Sequence, residues 1–522
     1  MHIGKTRGGV DRREFLTGAM LLGGMAGSLP MLAGRALGAD AKPRQGGTFK
    51  LGMSGGAASD SLDPRLLTDW VPVNICYQIM NGLVEIGRDN KPIPELFESW
   101  ETKPGAKEWI FNVRKGVTFS NGRTLTPEDI IYSLNLHRGD TKSAGKVNVE
   151  DVTELKKLGP NQIGITLGSG NLDLPYLLSD YHFMIVPDGH TDWSKPIGTG
   201  GYVLETMDPG VRAVTRKHGN YWKPDCANVD SIETMVINDT SARTNALITG
   251  QVDVINRLNP RTVKLLKKNP HLQIVRSAAG QHATFLMNTT DKPFTDNNVR
   301  LAMKYGVDRQ KMIDTVLDGY GEVGNDQPIS RNNPFCATDL PQHAYDPDKA
   351  KFYLKQAGLT ELPVSLQVSE AAFTGATDAA VLYQANATAC GIKIDVKREP
   401  SDGYWDNVWM KVPFCVSYWG GRPTADQMLT IAYQSDAKWN ETDWKRPEFD
   451  KILVAARTEA DEAKRKAMYG DLERMISEDG GAIIPMFIDY LEAGSTKVQG
   501  MQPNPMFDLM GQRIGEKIWL AA

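Results

Sequence analysis

The chain has 522 residues, with 59 Lys+Arg against 63 Asp+Glu, 41% hydrophobic and 23% charged residues. At roughly 150 residues per domain, the length predicts two to four domains of ordinary globular composition. That balance excludes a fibrous chain, a disordered chain and a polytopic membrane protein. A net charge of −4 without a basic face gives nucleic acid no footing.

Residues 1–41 read as an address rather than as part of a fold. Lys5, Arg7, Arg12 and Arg13 make a basic start, an uncharged stretch runs from Phe15 to Gly34, and small residues follow around Ala36–Ala41. This is the three-part pattern of an export signal. Six interruptions by Gly and Pro make the stretch too weakly apolar for a permanent span. Asp11-Arg12-Arg13-Glu14-Phe15-Leu16 resembles the twin-arginine export motif, with Asp11 where Ser or Thr is usual. Cleavage is expected between residues 38 and 41, which moves the net charge from −4 to −6. The first cysteine is Cys76, so no lipid anchor is expected, and the mature protein is expected free in the periplasm. The five cysteines (Cys76, Cys226, Cys336, Cys390, Cys415) have no CxxC spacing and leave any pairing open.

The mature chain alternates strand and helix signals. Residues 47–53, 109–113 and 162–167 alternate like strands. Thr126-Pro127-Glu128-Asp129 places a cap, a first-turn Pro and acids facing the helix dipole, and predicts a helix through Ile130, Ile131 and Leu134. Asp346-Pro347 opens another, closed by Gly358, and Asp308 precedes a third. Phe414 to Tyr418 reads as a strand ending in a glycine turn, Trp419-Gly420-Gly421-Arg422-Pro423. Met468, Leu472, Met475 and Ile476 share a helical face that stops at Gly480-Gly481. The alternation predicts an α/β fold, in which ligands sit at the carboxyl ends of strands.

A search for chemistry returns one catalytic-looking motif. Gly52-Met53-Ser54-Gly55-Gly56 matches G-x-S-x-G after a strand, but a loop follows where a helix is required. Val203 stands where a dinucleotide-binding glycine would be needed after Gly198-Thr199-Gly200-Gly201. No metal-binding spacing occurs, so neither catalytic group, metal nor cofactor is expected. Aromatic residues concentrate instead: Trp405, Trp409, Trp419, Trp439 and Trp444 fall within forty residues, with Tyr404, Tyr418 and Tyr433 among them. Such a cluster builds either a core or the wall of a ligand cleft.

Several stretches together resemble the extracellular solute-binding proteins of peptide, opine and nickel ABC importers. Ile79-Met80-Asn81-Gly82-Leu83-Val84 with Pro94-Glu95-Leu96-Phe97-Glu98-Ser99-Trp100-Glu101 is similar to the family's "YEGLV…PxLAESWE". Phe111–Gly122 resembles "FxLRKGVKFHDG", and Leu125–Ile130 the "LTAxDV" after it. Further matches cover Gly198–Tyr202, Asn220-Tyr221-Trp222, Phe294–Met303 and Tyr345–Ala350, in family order along nearly the whole mature chain.

The resemblance implies a two-lobed periplasmic binding protein fold of type II, the large variety with an extra subdomain. Lobe one is expected at 42–283 plus 489–522, with the inserted subdomain at about 81–192, and lobe two at 284–488. It implies a protein that closes on a small solute and is recognised by an inner-membrane permease and its ATPase; a monomer is expected, and the leader's arginine pair makes the twin-arginine translocase the expected partner during export. The alternatives are a periplasmic hydrolase using Ser54 and a sensory protein feeding a receptor. Expected ligand-binding residues are Trp419, Gly420, Arg422, Tyr404, Trp405, Ser54, Asp63 and His282. Peptide binders of the family carry an Asp three residues after this Trp, paired with the ligand's ammonium. Here Arg422 takes that place, and either it meets an anionic ligand or it turns to solvent or to Asp426.

Overall fold

The tertiary structure is a computed structural model that describes residues 42–401 and 403–521. The export-signal reading therefore lies outside the described residues. Residues from Pro43 onward pack as one unit built on two seven-stranded sheets and one of four strands.

In the first large sheet, Thr48–Met53 runs parallel to Ser231–Val236 on one side and Val254–Ile255 on the other. Arg212–Lys217 and Tyr202–Asp208 extend one edge in antiparallel fashion. At the other edge Tyr490–Ser495, near the end of the chain, is wedged between Val254–Ile255 and Leu272–Ser277. Phe49, Leu51 and Met53 point into a core completed by Ile75 and Ile79 of helix Trp70–Ile79 and by Ile514. The second sheet runs Gly321–Val323, Met486–Ile488, His282–Met287, Phe414–Trp419, Leu362–Val368, Ile392–Arg398, with Ala482–Ile483 beside His282–Met287. Helices Asn297–Tyr305, Pro347–Gln356 and Ala376–Thr388 cover it around Phe285, Met303, Leu366 and Tyr383.

Local signals place the elements where the residues say. Thr126 and Asp129 form a reciprocal capping box on Pro127–Asn135, and Asp346 caps Pro347–Gln356. Glu462–Asp479 stops at Gly480, whose amide bonds Ile476 O. The third sheet joins Phe97–Thr102, Glu108–Val113, Gln162–Leu167 and Val152–Gly159, all antiparallel, over its own core of Phe97, Phe111, Ile163 and Ile165.

The chain crosses between the large sheets twice. Residues 278–281 lead out of Leu272–Ser277 into His282–Met287, and Asp489 alone leads back from Met486–Ile488 into Tyr490–Ser495. The crossings lie side by side, since Ile488 N donates to Gln281 O at 2.8 Å. The Arg276 guanidinium also pairs with the buried Asp489 carboxylate. Two short parallel crossings are the geometry of a hinge.

A buried charge cluster ties the small sheet to the chain's last turns. Glu95, wholly buried, takes both Arg513 nitrogens at 2.7 Å, Lys223 at 3.0 Å and Asn81 Nδ2 at 3.0 Å. Burial alone would push this carboxyl up, but Arg513 and Lys223 outweigh it and hold it down at about 2. Its contribution is present above the ordinary glutamate range and fades as pH falls from about 4.5 towards 2. Glu95→Ala leaves the buried Arg513 with only the looser Glu516 carboxylate at 3.6 Å, so we expect a loss of about 3–5 kcal/mol in urea unfolding. Glu95→Gln should also flatten the acid limb of the stability profile below pH 4.5; an unchanged limb would show that the cluster carries no such load.

Candidate functional site

A cleft opens between the two large sheets, and its walls come from both. At one end Asn90 and Met506 from the first half face Ser330, Arg422 and Thr424 from the second. The cleft continues past Met506 and Pro423 into a cavity of ≈ 530 Å³, counting the part open to solvent, lined by Tyr77, Tyr181, Phe507 and Gln427. An aromatic wall with a few convergent polar groups is the ordinary make-up of a small-molecule site.

The turn after Phe414–Trp419 is set by the hinge beneath it. A Cβ on Gly421 would sit 3.0 Å from Gly280 Cα, so backbone meets backbone where the first crossing passes. This is the close approach that glycine alone permits. Gly420 has only the flexible Arg422 head near its own Cβ position, at 3.6 Å.

Arg422 is half-buried and lines the cleft. Its Nη1 donates to Gly420 O at 3.1 Å and Gly421 O at 3.3 Å, and its guanidinium lies 5.5 Å from the Trp419 ring centroid. Burial lowers its proton affinity below the usual arginine range, while Tyr181 and Asp180 support the charge. No carboxylate among the described residues pairs with it. The alternative of an Arg422–Asp426 pair fails because Asp426 is taken by Arg457 at 2.9 Å.

Trp419 is 6% exposed and anchored from behind: its Nε1 donates to Glu441 Oε2 at 2.6 Å, and the Trp439 ring lies 6.0 Å away. Glu441 also accepts from Ser417 Oγ at 2.8 Å and from the Trp409 indole. Burial pushes this carboxyl up to about 7 against the pull of the three donors. Trp405 is 36% exposed and meets Trp409 edge-on at 5.8 Å.

The remaining expected residues sit elsewhere. Tyr404 is in the core, its hydroxyl donating to Val416 O at 2.7 Å, because a buried phenol needs an acceptor. Asp63 caps the turn Pro64–Leu66 and pairs with Arg65 at 2.6 Å, so its carboxylate is used locally. His282 pairs in register with Trp419 and is fully buried. Burial drops its pKa to about 4, so the ring is neutral and its Nδ1 donates to Gly280 O at 3.1 Å. Ser54 is held by its amide to Asn256 Oδ1 at 2.9 Å, while its hydroxyl has no hydrogen-bond partner. A serine without a base to take its proton is no nucleophile.

Sequence reasoning missed the polar ties that cross the cleft. Gln427 Nε2 donates to Asn148 Oδ1 at 2.8 Å, and Asn90 Nδ2 to Pro423 O at 3.2 Å. Leu172 N donates to Arg457 O at 2.9 Å, and Arg465 lies 2.8 Å from Asp173. Each joins residues hundreds of positions apart, and no local pattern marks them. Among the described residues no helix is long and apolar enough to cross a membrane, no cluster of three or more His, Cys, Asp or Glu is placed to hold a metal, and all five cysteines are free thiols.

Comparison with known proteins agrees with this geometry. Residues 91–441 match the model of bacterial extracellular solute-binding proteins, family 5 middle. The chain is 25% identical to di/tripeptide-binding protein 1 of Pseudomonas aeruginosa, over 77% of this chain and 81% of that one. Its fold is similar to the periplasmic binding protein DppA from Helicobacter pylori in complex with the peptide STSA (TM-score 0.76, 21% identity, 92% and 99% of the chains covered). It is also similar to AgaA from A. tumefacien R10 in complex with agropinic acid (TM-score 0.76, 23% identity, 91% and 99% covered). With a family match over more than half its length, and a cleft walled by two lobes, the chain belongs to the bacterial extracellular solute-binding proteins of family 5.

Proposed function

We propose that this protein is the periplasmic solute-binding component of an ABC importer, capturing a peptide-like or opine-like solute between its lobes and handing it to a membrane permease driven by an ATPase. The observation that carries this is a cleft walled by both lobes, between which the described backbone passes at the paired crossings 278–281 and Asp489. The peptide and agropinic acid bound by its structural relatives support the solute class. The lobes are proposed at 42–283 plus 489–522 and at 284–488, with 81–192 as the inserted subdomain. A monomer suffices, because one chain supplies both walls.

Arg422 is proposed to hold an anionic group of the solute. Among the described residues no carboxylate pairs with it, and desolvating it on closure is costly unless an anion enters with it. Its planar head favours a bidentate carboxylate. Trp419 and Trp405 are proposed as the adjoining aromatic wall.

Three experiments follow. Native mass spectrometry of protein purified without refolding should show a co-purified anionic solute, and small-angle scattering should show compaction when it is returned to stripped protein. Absence of compaction at saturation would refute the clamp. Arg422→Ala should weaken that solute roughly tenfold to more than a hundredfold with the ligand-free melting temperature unchanged; unaltered affinity would make Arg422 a surface residue. Finally, Arg12→Lys with Arg13→Lys should strand the precursor in the cytoplasm, whereas normal export would point to the general secretion route.

A further inference from the structure

A hydrogen-bond relay across the cleft fixes one acceptor and leaves it empty. Asp180 can only accept, and it is filled by His182 N at 3.0 Å, His182 Nδ1 at 2.6 Å and Asn148 Nδ2 at 2.9 Å. Because the Asn148 amino group faces that carboxylate, its carbonyl must face the other way. There Asn148 Oδ1 receives Gln427 Nε2 at 2.8 Å. The Gln427 amide is thereby oriented too. Flipping it would set carbonyl against carbonyl, and flipping Asn148 as well would set its carbonyl against Asp180. Gln427 Oε1 is thus committed as an acceptor, and it is buried with no hydrogen-bond partner among the described residues. Gln427 itself lines the cavity beside Pro423, the residue after Arg422.

We propose that Gln427 is a specificity-determining residue that reads an N–H donor of the solute, namely the amide N–H next to the carboxylate that Arg422 holds. This deepens the solute-binding reading and rests on it. A buried acceptor left empty costs more than one filled, so a solute with N–H at this place is favoured over the same shape carrying an ether or ester oxygen. An oxygen there would be repelled by Oε1 as well as unable to donate. The relay draws Asp180 and Asn148 from the first lobe and Gln427 from the second, so it is complete only when the lobes meet. Closure and the test for N–H are then one event. The apolar arm beyond the amide would lie against Tyr77, Tyr181 and Phe507.

The test pairs two pools on stripped protein: N-acetyl dipeptides, and the matching depsipeptides in which the amide N–H next to the carboxylate is replaced by oxygen. Competitive retention is read by native mass spectrometry. The wild type should prefer the amide member of each retained pair by about tenfold. Gln427→Met should bring that ratio near one, chiefly by losing the amide members. If Gln427 merely braces the lobes, Gln427→Met lowers both pools equally and the ratio stays, which overturns the proposal. Equal retention by the wild type, or retention of neither pool, overturns it as well. In the last case a different solute that still compacts the protein would leave the importer reading standing, whereas no compacting solute at all would remove both.

Discussion

The first lobe cannot finish its sheet without the end of the chain. Val254–Ile255 and Leu272–Ser277 are not neighbours; Tyr490–Ser495 lies between them and bonds both. Whatever the chain does between residues 278 and 489, it must come back to the same edge. The second lobe is therefore suspended from two adjacent crossings, and its movement relative to the first is confined to rotation about them. The glycine turn is seated on that axis through Gly280 and Gly421. Arg422 consequently sits where both lobes converge, at small distance from the pivot, and its position alters little as the cleft opens.

Two arginines, the buried Arg513 and the half-buried Arg422, are held in contrasting ways. Arg513 has two carboxylate oxygens at 2.7 Å and packs over Tyr77 at 4.1 Å. Its charge is neutralised by the protein, and the cluster is rigid because breaking any partner leaves a buried ion. Arg422 has carbonyl oxygens and an indole face but no counter-charge. Those contacts orient the guanidinium without satisfying it. The two arginines thus differ in what is withheld, and Asp426 illustrates the withholding: the nearest acid in sequence is spent on Arg457.

The elements were legible because their signals are local. The box between Thr126 and Asp129, the Asp346 cap and the Gly480 stop each span at most four residues, and backbone sterics decide them without the rest of the fold. Trp419 at the end of its strand was legible for the same reason. What sequence could not show is where such residues face. Tyr404 and Trp405 are adjacent, yet one is core and the other is exposed, a distinction made by the packing of Val416 and Gln367 against the phenol. Glu441 reaches back to donors 22, 24 and 32 residues earlier, and Gln427 donates to an acceptor 279 residues earlier. Partners that distant are assembled by topology, and topology is fixed by strand order.

The chemistry of the cross-cleft ties follows from the need to reopen. An apolar seam would gain about 25 cal/mol for each Å² buried and would favour the shut state whether or not solute was present. Amide and carbonyl groups recover water when separated, so each hydrogen bond between lobes is worth only about 1 kcal/mol net. Apart from the buried Arg465–Asp173 ion pair, the ties across the cleft, Asn148–Gln427, Asn90–Pro423 and Leu172–Arg457, are of this kind. They specify one closed geometry while adding little to its population. A solute shifts the equilibrium only by its differential affinity for the closed state, and it decides the outcome when the intrinsic bias is small. The unmatched charge of Arg422 and the empty acceptor of Gln427 lower that bias further, since both are costs of closing without solute. The groups proposed to recognise the solute are the same groups that make closing the empty cleft costly.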